Sequence, residues 1–386
     1  MLGTPASGAT YYLDPAAGSL TNTGDAAHPW SGLAQVVAAG LIQAQDQAGV
    51  WFNTNGPVRG GDQLFLRTGY HGDVVLNGYY LERTLAVAAE PGHTPTLKGI
   101  TLRGGSHWAL AGLEVSPVHG PGESRGPIVG VLNHQRHGPA RWVSVENCRV
   151  SSVPDVSAWI TTNQWLDLAR DGIVLQGDHC RAVSNHVRNV AWGIQLGGVS
   201  NYAGYNLIEN FRGDGLRTVN HYGVAEFNTI RNAYLVDGNH MDGIQGFYRN
   251  QPGREVRGIV IRGNVILRHQ RLEDPFVSPY LQGIGFFDGP FVDCVFEDNV
   301  VEADSYHGLS VYNAQGCRLT GNTVGGDAGT NLVDEGRIVL GCKVAYGQVV
   351  RDNVLASNVC DRFVIATQAV GTVLSDNVIR PRGRGR

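Results

Sequence analysis

Lysine is almost missing from this chain. Of 30 basic residues only Lys98 and Lys343 are lysines, and the rest are arginines. Charge of either sign is sparse, at 17% of 386 residues, and the net charge is −4. That balance offers no basic surface for nucleic acid or for an anionic membrane. Long apolar runs are absent as well: no stretch of about 18 such residues occurs, so no membrane-spanning helix is expected. The start, MLGTPASGAT, lacks the basic and apolar segments of a secretion signal. An extracellular location would then follow processing or another export route, such as carriage on a virion. The six cysteines form no C-x-x-C pair or His/Cys cluster of the kind that binds zinc.

Glycine, by contrast, is abundant, at 53 residues, and 42% of the chain is hydrophobic. Such a chain folds around an ample core with many turns. One short pattern recurs along it, centred on Asn185, Asn206, Asn228, Asn264, Asn299, Asn322, Asn353 and Asn377. Two residues after each stands Val187, Ile208, Ile230, Ile266, Val301, Val324, Leu355 or Ile379. Three residues before each stands another apolar residue, Ala182 through Leu374. The shortest spacings are 21 to 24 residues, a period that signals a stacked array, with longer gaps reading as inserted loops.

The apolar positions are rich in β-branched residues and alternate with polar ones, which excludes helical repeats. A unit of this length with two or three short strands is one rung of a right-handed parallel β-helix, an all-β solenoid. Asn at a fixed turn position suits the stack, because it tolerates left-handed backbone and hydrogen-bonds to its equivalents in neighbouring rungs. Cys180, Cys294 and Cys317 each lie five residues before a repeat Asn, which reads as an inward ladder of small side chains rather than as disulfides.

The expected organisation is a leading strand and cap over residues 1–60, a β-helix over 61–380 and a basic tail, PRGRGR, over 381–386. Residues 33–48 have apolar side chains at helical spacing and are expected to form a short capping helix. The first rung is placed at Asp62. The stretches 116–140 and 151–168 are expected to be long loops standing out from the body.

A second column precedes each Asn. Gly172, Gly193, Gly215, Gly243, Gly283 and Gly308 are each followed by an apolar residue expected to point inward: Ile173, Ile194, Leu216, Ile244, Ile284 and Leu309. The residue before each Gly is Asp171, Trp192, Asp214, Asp242, Gln282 or His307. Reading that position as the corner where the turn enters the strand puts Asp214 beside Asp242 on a solvent-facing wall. Gln195, Arg217 and Gln245 share those strands, and His307 lies further along. The long gaps 228–264 and 264–299 supply loops to wall a groove, with His240 in one of them and His221 and Tyr222 in a neighbouring turn.

This layout resembles the pectate-lyase-like superfamily of polysaccharide-active β-helices, in the YYLDPAAGS…HPW opening, the GDQLFLRTGYHGDVVL rung and the N-x-(V/I) ladder. The resemblance spans nearly the whole chain. It implies a polysaccharide substrate in an extended groove, with Trp192, Tyr222, Tyr248 and Phe286 as sugar-stacking surfaces. Trp192, Gln195, Gln245, Tyr248 and His307 are the substrate-binding candidates. The first functional reading is β-elimination, or the related C5-epimerisation, on a uronate glycan such as alginate or pectin. That chemistry must neutralise a carboxylate and remove the proton beside it. Arg217, or a calcium ion held by Asp214 and Asp242, would neutralise; His240 or His221 would be the base, and Tyr222 the acid. The second is an inverting glycoside hydrolase, since MDGIQ at 241–245, HGLSV at 307–311 and GRIVLGCK at 336–343 are similar to segments of the polygalacturonase family, the last to its Arg-Lys motif. There Asp214 and Asp242 would be acid and base. The third is a glycan-binding or phage tail protein without catalysis, trimeric in the fibre case and otherwise of open oligomeric state.

Overall fold

The structure is a computed structural model describing residues 8–123, 125–248, 254–268, 276, 281–303, 305, 307–326, 336–343 and 349–380. The chain divides into two compact units, Met1–Val156 with Arg170–Val187, and Ser157–Ala169 with Arg188–Arg386. Each is built from parallel strands stacked rung on rung. Parallel crossovers of this kind are almost always right-handed, and the chain is a right-handed parallel β-helix.

In the first unit Thr10–Leu13 pairs in parallel with Gln63–Leu66, so the leading strand is itself part of the sheet. The sheet continues through Asp73–Ala89 and Gly99–Ala111. Part of the expected 116–140 loop is a rung strand instead: Val129–Leu132 lies between Gly99–Ala111 and Ile173–Leu175. Its alternation is hidden by a glycine, Gly130, in a stretch crowded with turn residues. The helix at the N-terminal end is shorter than expected, Leu33–Ala38, with Leu33 and Val36 buried. Ala44–Gln45, inside the same stretch, pairs antiparallel with Trp51–Phe52.

Among the described residues the second unit has three long sheets, and a short one made by Val256–Arg257, Phe291–Val292 and Ala314–Gln315. The first contains Ile194–Leu196, Leu216–Thr218, Asp242–Phe247, Gln282–Asp288, Leu309–Tyr312, Arg337–Gly341 and Arg362–Ile365. The second runs from Tyr202–Gly204 to Val373–Ser375, and the third from Leu207–Phe211 to Val378–Ile379. Ile194, Leu216, Ile244, Ile284 and Leu309 are in register and buried, as their place after the glycines requires. The expected 151–168 loop contains a helix, Thr162–Leu168, whose Trp165 stacks on Tyr234 at 4.6 Å.

The Asn column is a hydrogen-bonded ladder. Asn228 Oδ1 accepts from the backbone N–H of Asn206 at 3.0 Å and from its side-chain amide at 2.9 Å. Asn264, Asn299 and Asn322 repeat the arrangement. Asn353 does not belong to it. The next member is Asn358, followed by Asn377. Asn353 occupies the cysteine column, where its Oδ1 accepts from the Cys317 N–H at 2.9 Å. Both frames satisfy the local pattern of apolar residues around an Asn, and only strand register separates them. Cys180, Cys294 and Cys317 are buried and none is in a disulfide, as the inward-ladder reading expects.

The glycine column has a steric cause. A Cβ on Gly193, Gly215, Gly243, Gly283 or Gly308 would come within 2.5 Å of the side chain of Ile208, Ile230, Ile266, Val301 or Val324 respectively. These are the apolar residues two places after the ladder Asn. The two signatures of the repeat are therefore two halves of one packing contact. Because Gly and the apolar residue after it both face the core, the residue before the Gly turns the other way.

Candidate active site

That turn sets the position of Asp214 and Asp242. Their carboxylates meet outward-facing side chains of the first sheet, yet both are buried, at 1% and 0% exposure. The expected solvent-facing wall is corrected here: neighbouring side chains roof both acids. Arg217 Nε donates to Asp214 Oδ2 at 2.5 Å, and the Asp242 N–H donates to Asp214 Oδ1 at 3.0 Å. On Asp242, Oδ2 meets His240 Nδ1 at 3.0 Å and accepts from Gln245 Nε2 at 3.1 Å.

Burial pushes both carboxyls up. Asp242 reaches about 7, against the opposing pull of His240, and Asp214 rises despite the charge of Arg217. The hydrogen bond to the Asp242 carboxylate in turn raises His240. A carboxylate taken out of water must be compensated to stay ionised, and His240, at 53% side-chain exposure, touches Asp242 and supplies a positive charge there when protonated.

His240 opens onto a cavity of about 240 Å³ lined by Gln245, Gln282, Phe287, Asp288, His307, Tyr312 and Lys343 as well. Lys343 Nζ pairs with Asp288 at 2.8 Å. The Lys343 backbone is fixed by Asn313, whose Oδ1 accepts the Lys343 N–H at 3.0 Å. His307 Nδ1 lies 3.0 Å from Ser310 Oγ. Burial, reinforced by the charges of Arg337, His240 and Lys343, holds His307 down to about 4, so it is neutral near pH 7.

Of the residues singled out from sequence, His240, Gln245 and His307 meet at this cavity, with Asp242 directly behind it. Gln195, Arg217 and Gln245 form one row of the first sheet. Arg217 is spent on Asp214 and lies over Trp192 at 4.7 Å, so the cation lining the cavity is Lys343. Trp192 is half-buried and carries two guanidinium groups against its ring, Arg212 at 5.2 Å and Arg217 at 4.7 Å. Phe286 is core, packed edge-on against Phe291 and Phe296; the register shift after Gly246 turns Phe287 outward in its place. His221, Tyr222 and Tyr248 gather at the far end of the strands instead. There His221 Nδ1 accepts the Arg257 N–H at 3.1 Å, and Tyr248 lies against His221 at 5.5 Å. Much of the expected groove-walling insertions, residues 249–253, 269–275 and 277–280, lies outside the described residues, as does the 381–386 tail.

Asp214 and Asp242 do not suit calcium. Such an ion takes six to eight oxygens, whereas three of these four carboxylate oxygens already accept hydrogen bonds and Arg217 supplies a cation beside them. Among the described residues no group of three or more His, Cys, Asp or Glu side chains is placed to share a metal.

Sequence reasoning missed Asp288, Phe287, Tyr312 and the role of Lys343 at this cavity. Lys343 had two signals, as one of only two lysines and as the last residue of GRIVLGCK at 336–343.

No protein-family model matches this sequence. No curated protein matches it either. Several solved structures are similar. The Dettilon tailspike protein is 14% identical over 82% of this chain, with a TM-score of 0.49, and the chain spans 60% of its length. Pectate lyase Pel9A is 12% identical over 97% of this chain and 79% of its own, with a TM-score of 0.44. The Azotobacter vinelandii mannuronan C-5 epimerase AlgE6 A-module is 12% identical over 84% of this chain and 92% of its own, with a TM-score of 0.43.

Proposed function

We propose that this protein acts on a uronate-containing polysaccharide by β-elimination or by the related C5-epimerisation. The observation that carries the reading is the Asp242–His240 pair facing a cavity that also holds Lys343. Asp242 anchors His240 through Nδ1 and leaves Nε2 as the proton acceptor, the arrangement by which a buried carboxylate orients a catalytic imidazole. Lys343 supplies the positive charge that abstraction beside a carboxylate requires, because negative charge builds on that group as the proton leaves. Asp288 occupies Lys343 in the free protein and would give way to the substrate carboxylate.

In the elimination the C5 proton passes to His240 Nε2, the C4–O bond breaks and a C4=C5 double bond forms. The departing oxygen takes a proton from the cavity, where the Tyr312 hydroxyl is a donor. In the epimerisation the same carbanion is reprotonated on its opposite face. The cavity is smaller than the roughly 300–1,000 Å³ that encloses a drug-sized ligand, which suits one sugar residue of a longer chain. A hydrolase would need two carboxyl groups flanking an open cleft; Asp214, sealed against Arg217, gives that alternative no support.

The experiment is a product assay on alginate, pectin and neutral polysaccharides. Elimination gives unsaturated ends that absorb in the ultraviolet. Epimerisation changes the uronate stereochemistry seen by NMR without new ends. New reducing ends without that absorbance would overturn the proposal in favour of hydrolysis, and binding without any product would leave a glycan-binding or tail protein.

A further inference from the structure

Asp242 has one oxygen that no described residue satisfies. Oδ2 meets His240 and Gln245, whereas Oδ1 is buried and accepts no hydrogen bond from any described residue. Gln282 Oε1 is in the same condition. The two residues are register partners on adjacent rungs, where backbones lie about 4.8 Å apart. Buried acceptors are seldom left alone, since losing water without gaining a partner is costly. Two on adjacent rungs, with Gln282 at the edge of the cavity, are acceptors that a donor entering it can meet.

Gly285 gives Asp242 Oδ1 its place. It stands in the outward row between Gln245 and Ser310, and a Cβ there would lie 2.3 Å from Asp242 Oδ1 and 2.4 Å from the Phe287 ring. Any side chain at this position would displace the carboxylate from beside Gln282. Gln282 and Phe287 both line the cavity.

We infer that Asp242 Oδ1 and Gln282 Oε1 form a hydroxyl-recognition point, and that Gln282 is a specificity-determining residue. The ligand class is a sugar ring carrying a free hydroxyl, which donates to the acceptor pair. This deepens the proposed function and rests on it for the uronate, while the acceptor pair itself is independent of the sugar's charge. A substrate whose ring hydroxyls are O-acetylated has no proton to donate and brings added bulk to the acceptor pair.

The test is calorimetric titration with tetrasaccharides of mannuronate, galacturonate, mannose and xylose, each free and O-acetylated. The wild-type protein should bind the free form of its preferred sugar at least about tenfold more tightly than the acetylated form, as expected for a paired against an unpaired buried acceptor. Gln282→Met should lose most of that preference with an unchanged melting temperature, and Gln282→Leu serves if it melts lower. Gly285→Ala should lose affinity for the free form.

Equal wild-type affinity for both forms, or a preference retained in Gln282→Met, overturns the inference while uronate binding leaves the functional reading standing. Binding of neutral sugars alone, with a preference that Gln282→Met abolishes, sinks the uronate reading and keeps the acceptor pair. A Gln282→Met variant that changes only the carboxyl titration of Asp242, read by ¹³C NMR, would mean that Asp242 itself protonates and donates to Gln282, which also overturns the inference. Failure of the whole panel to bind rejects both.

Discussion

Asp214 receives the backbone N–H of Asp242 on one oxygen and the guanidinium of Arg217 on the other. One buried acid thus fixes the main chain from which the second projects, and the second holds the exposed histidine of the cavity. The site is layered: Asp214 and Arg217 below, Asp242 and Gln245 between, His240 at the surface. Its chemistry depends on charges kept away from water, which makes pH and conservative substitution the informative probes.

Asp242 shapes the pH dependence of stability. Its carboxyl lies at about 7 in the folded protein because of burial, against roughly 3.9 in an unfolded chain. The folded state therefore holds this proton more tightly. The stabilisation is complete below about pH 4 and is lost as the pH rises through about 7. The wild-type melting temperature should fall between pH 5 and 8, and Asp242→Asn should flatten that slope. The same variant should lose about 10²–10⁴-fold in kcat/KM, as expected when a histidine loses its orienting carboxylate. A slope unchanged in calorimetric melts of Asp242→Asn would show that Asp242 is ionised throughout.

His240→Ala should lower kcat by about 10²–10⁴-fold and shift the melting temperature little, since the ring is half exposed. In the wild type Asp242 raises the histidine, so the unprotonated base becomes available only as the pH increases. The activity profile should climb through the neutral range and reach its plateau above it. The two groups titrate as a pair, so Asp242→Asn should shift the rising limb to lower pH. A bell with its rising limb near pH 4 would instead point to His307.

Lys343→Met should cost at least about tenfold in kcat/KM on a uronate polymer, in line with the loss of a charge-assisted contact. Binding of neutral oligosaccharides should be almost unaffected. Raising the salt concentration should weaken the wild type more than the variant. Steady-state kinetics at two ionic strengths settles the point; equal losses on charged and neutral substrates would mean that Lys343 only holds Asp288 in place.

Gly215→Ala tests the packing that turns the acids outward. The new Cβ would sit 2.4 Å from Ile230 Cγ2, and overpacking of this kind costs about 1–3 kcal/mol. Chemical denaturation should show that loss together with reduced activity, since Asp214 is the next residue. The companion change Ile230→Val should leave the Cβ still crowded by Cγ2, whereas Ile230→Ala should restore part of the stability in the double variant. No loss on Gly215→Ala would mean that the rung has slack the structure does not display.

The sequence by itself determined the repeat, and with it the fold. Alternation, the Asn ladder and the Gly column are consequences of stacking identical rungs, so each leaves its trace at a fixed offset along the chain. It also placed Asp214, Arg217, Asp242 and Gln245 in neighbouring positions of one sheet. Tertiary structure alone decided which of them water reaches. Burial depends on which side chains fold over which, and Asp214 beneath Arg217 has the same local sequence in either case. It also decided that Lys343, Asp288 and Tyr312 meet His240, because the lengths of the intervening strands and insertions, not any motif, bring them to one cavity. The frame of Asn353 against Asn358 belongs to the same class: two registers satisfy the local pattern, and the hydrogen bonds of the rungs on either side select one.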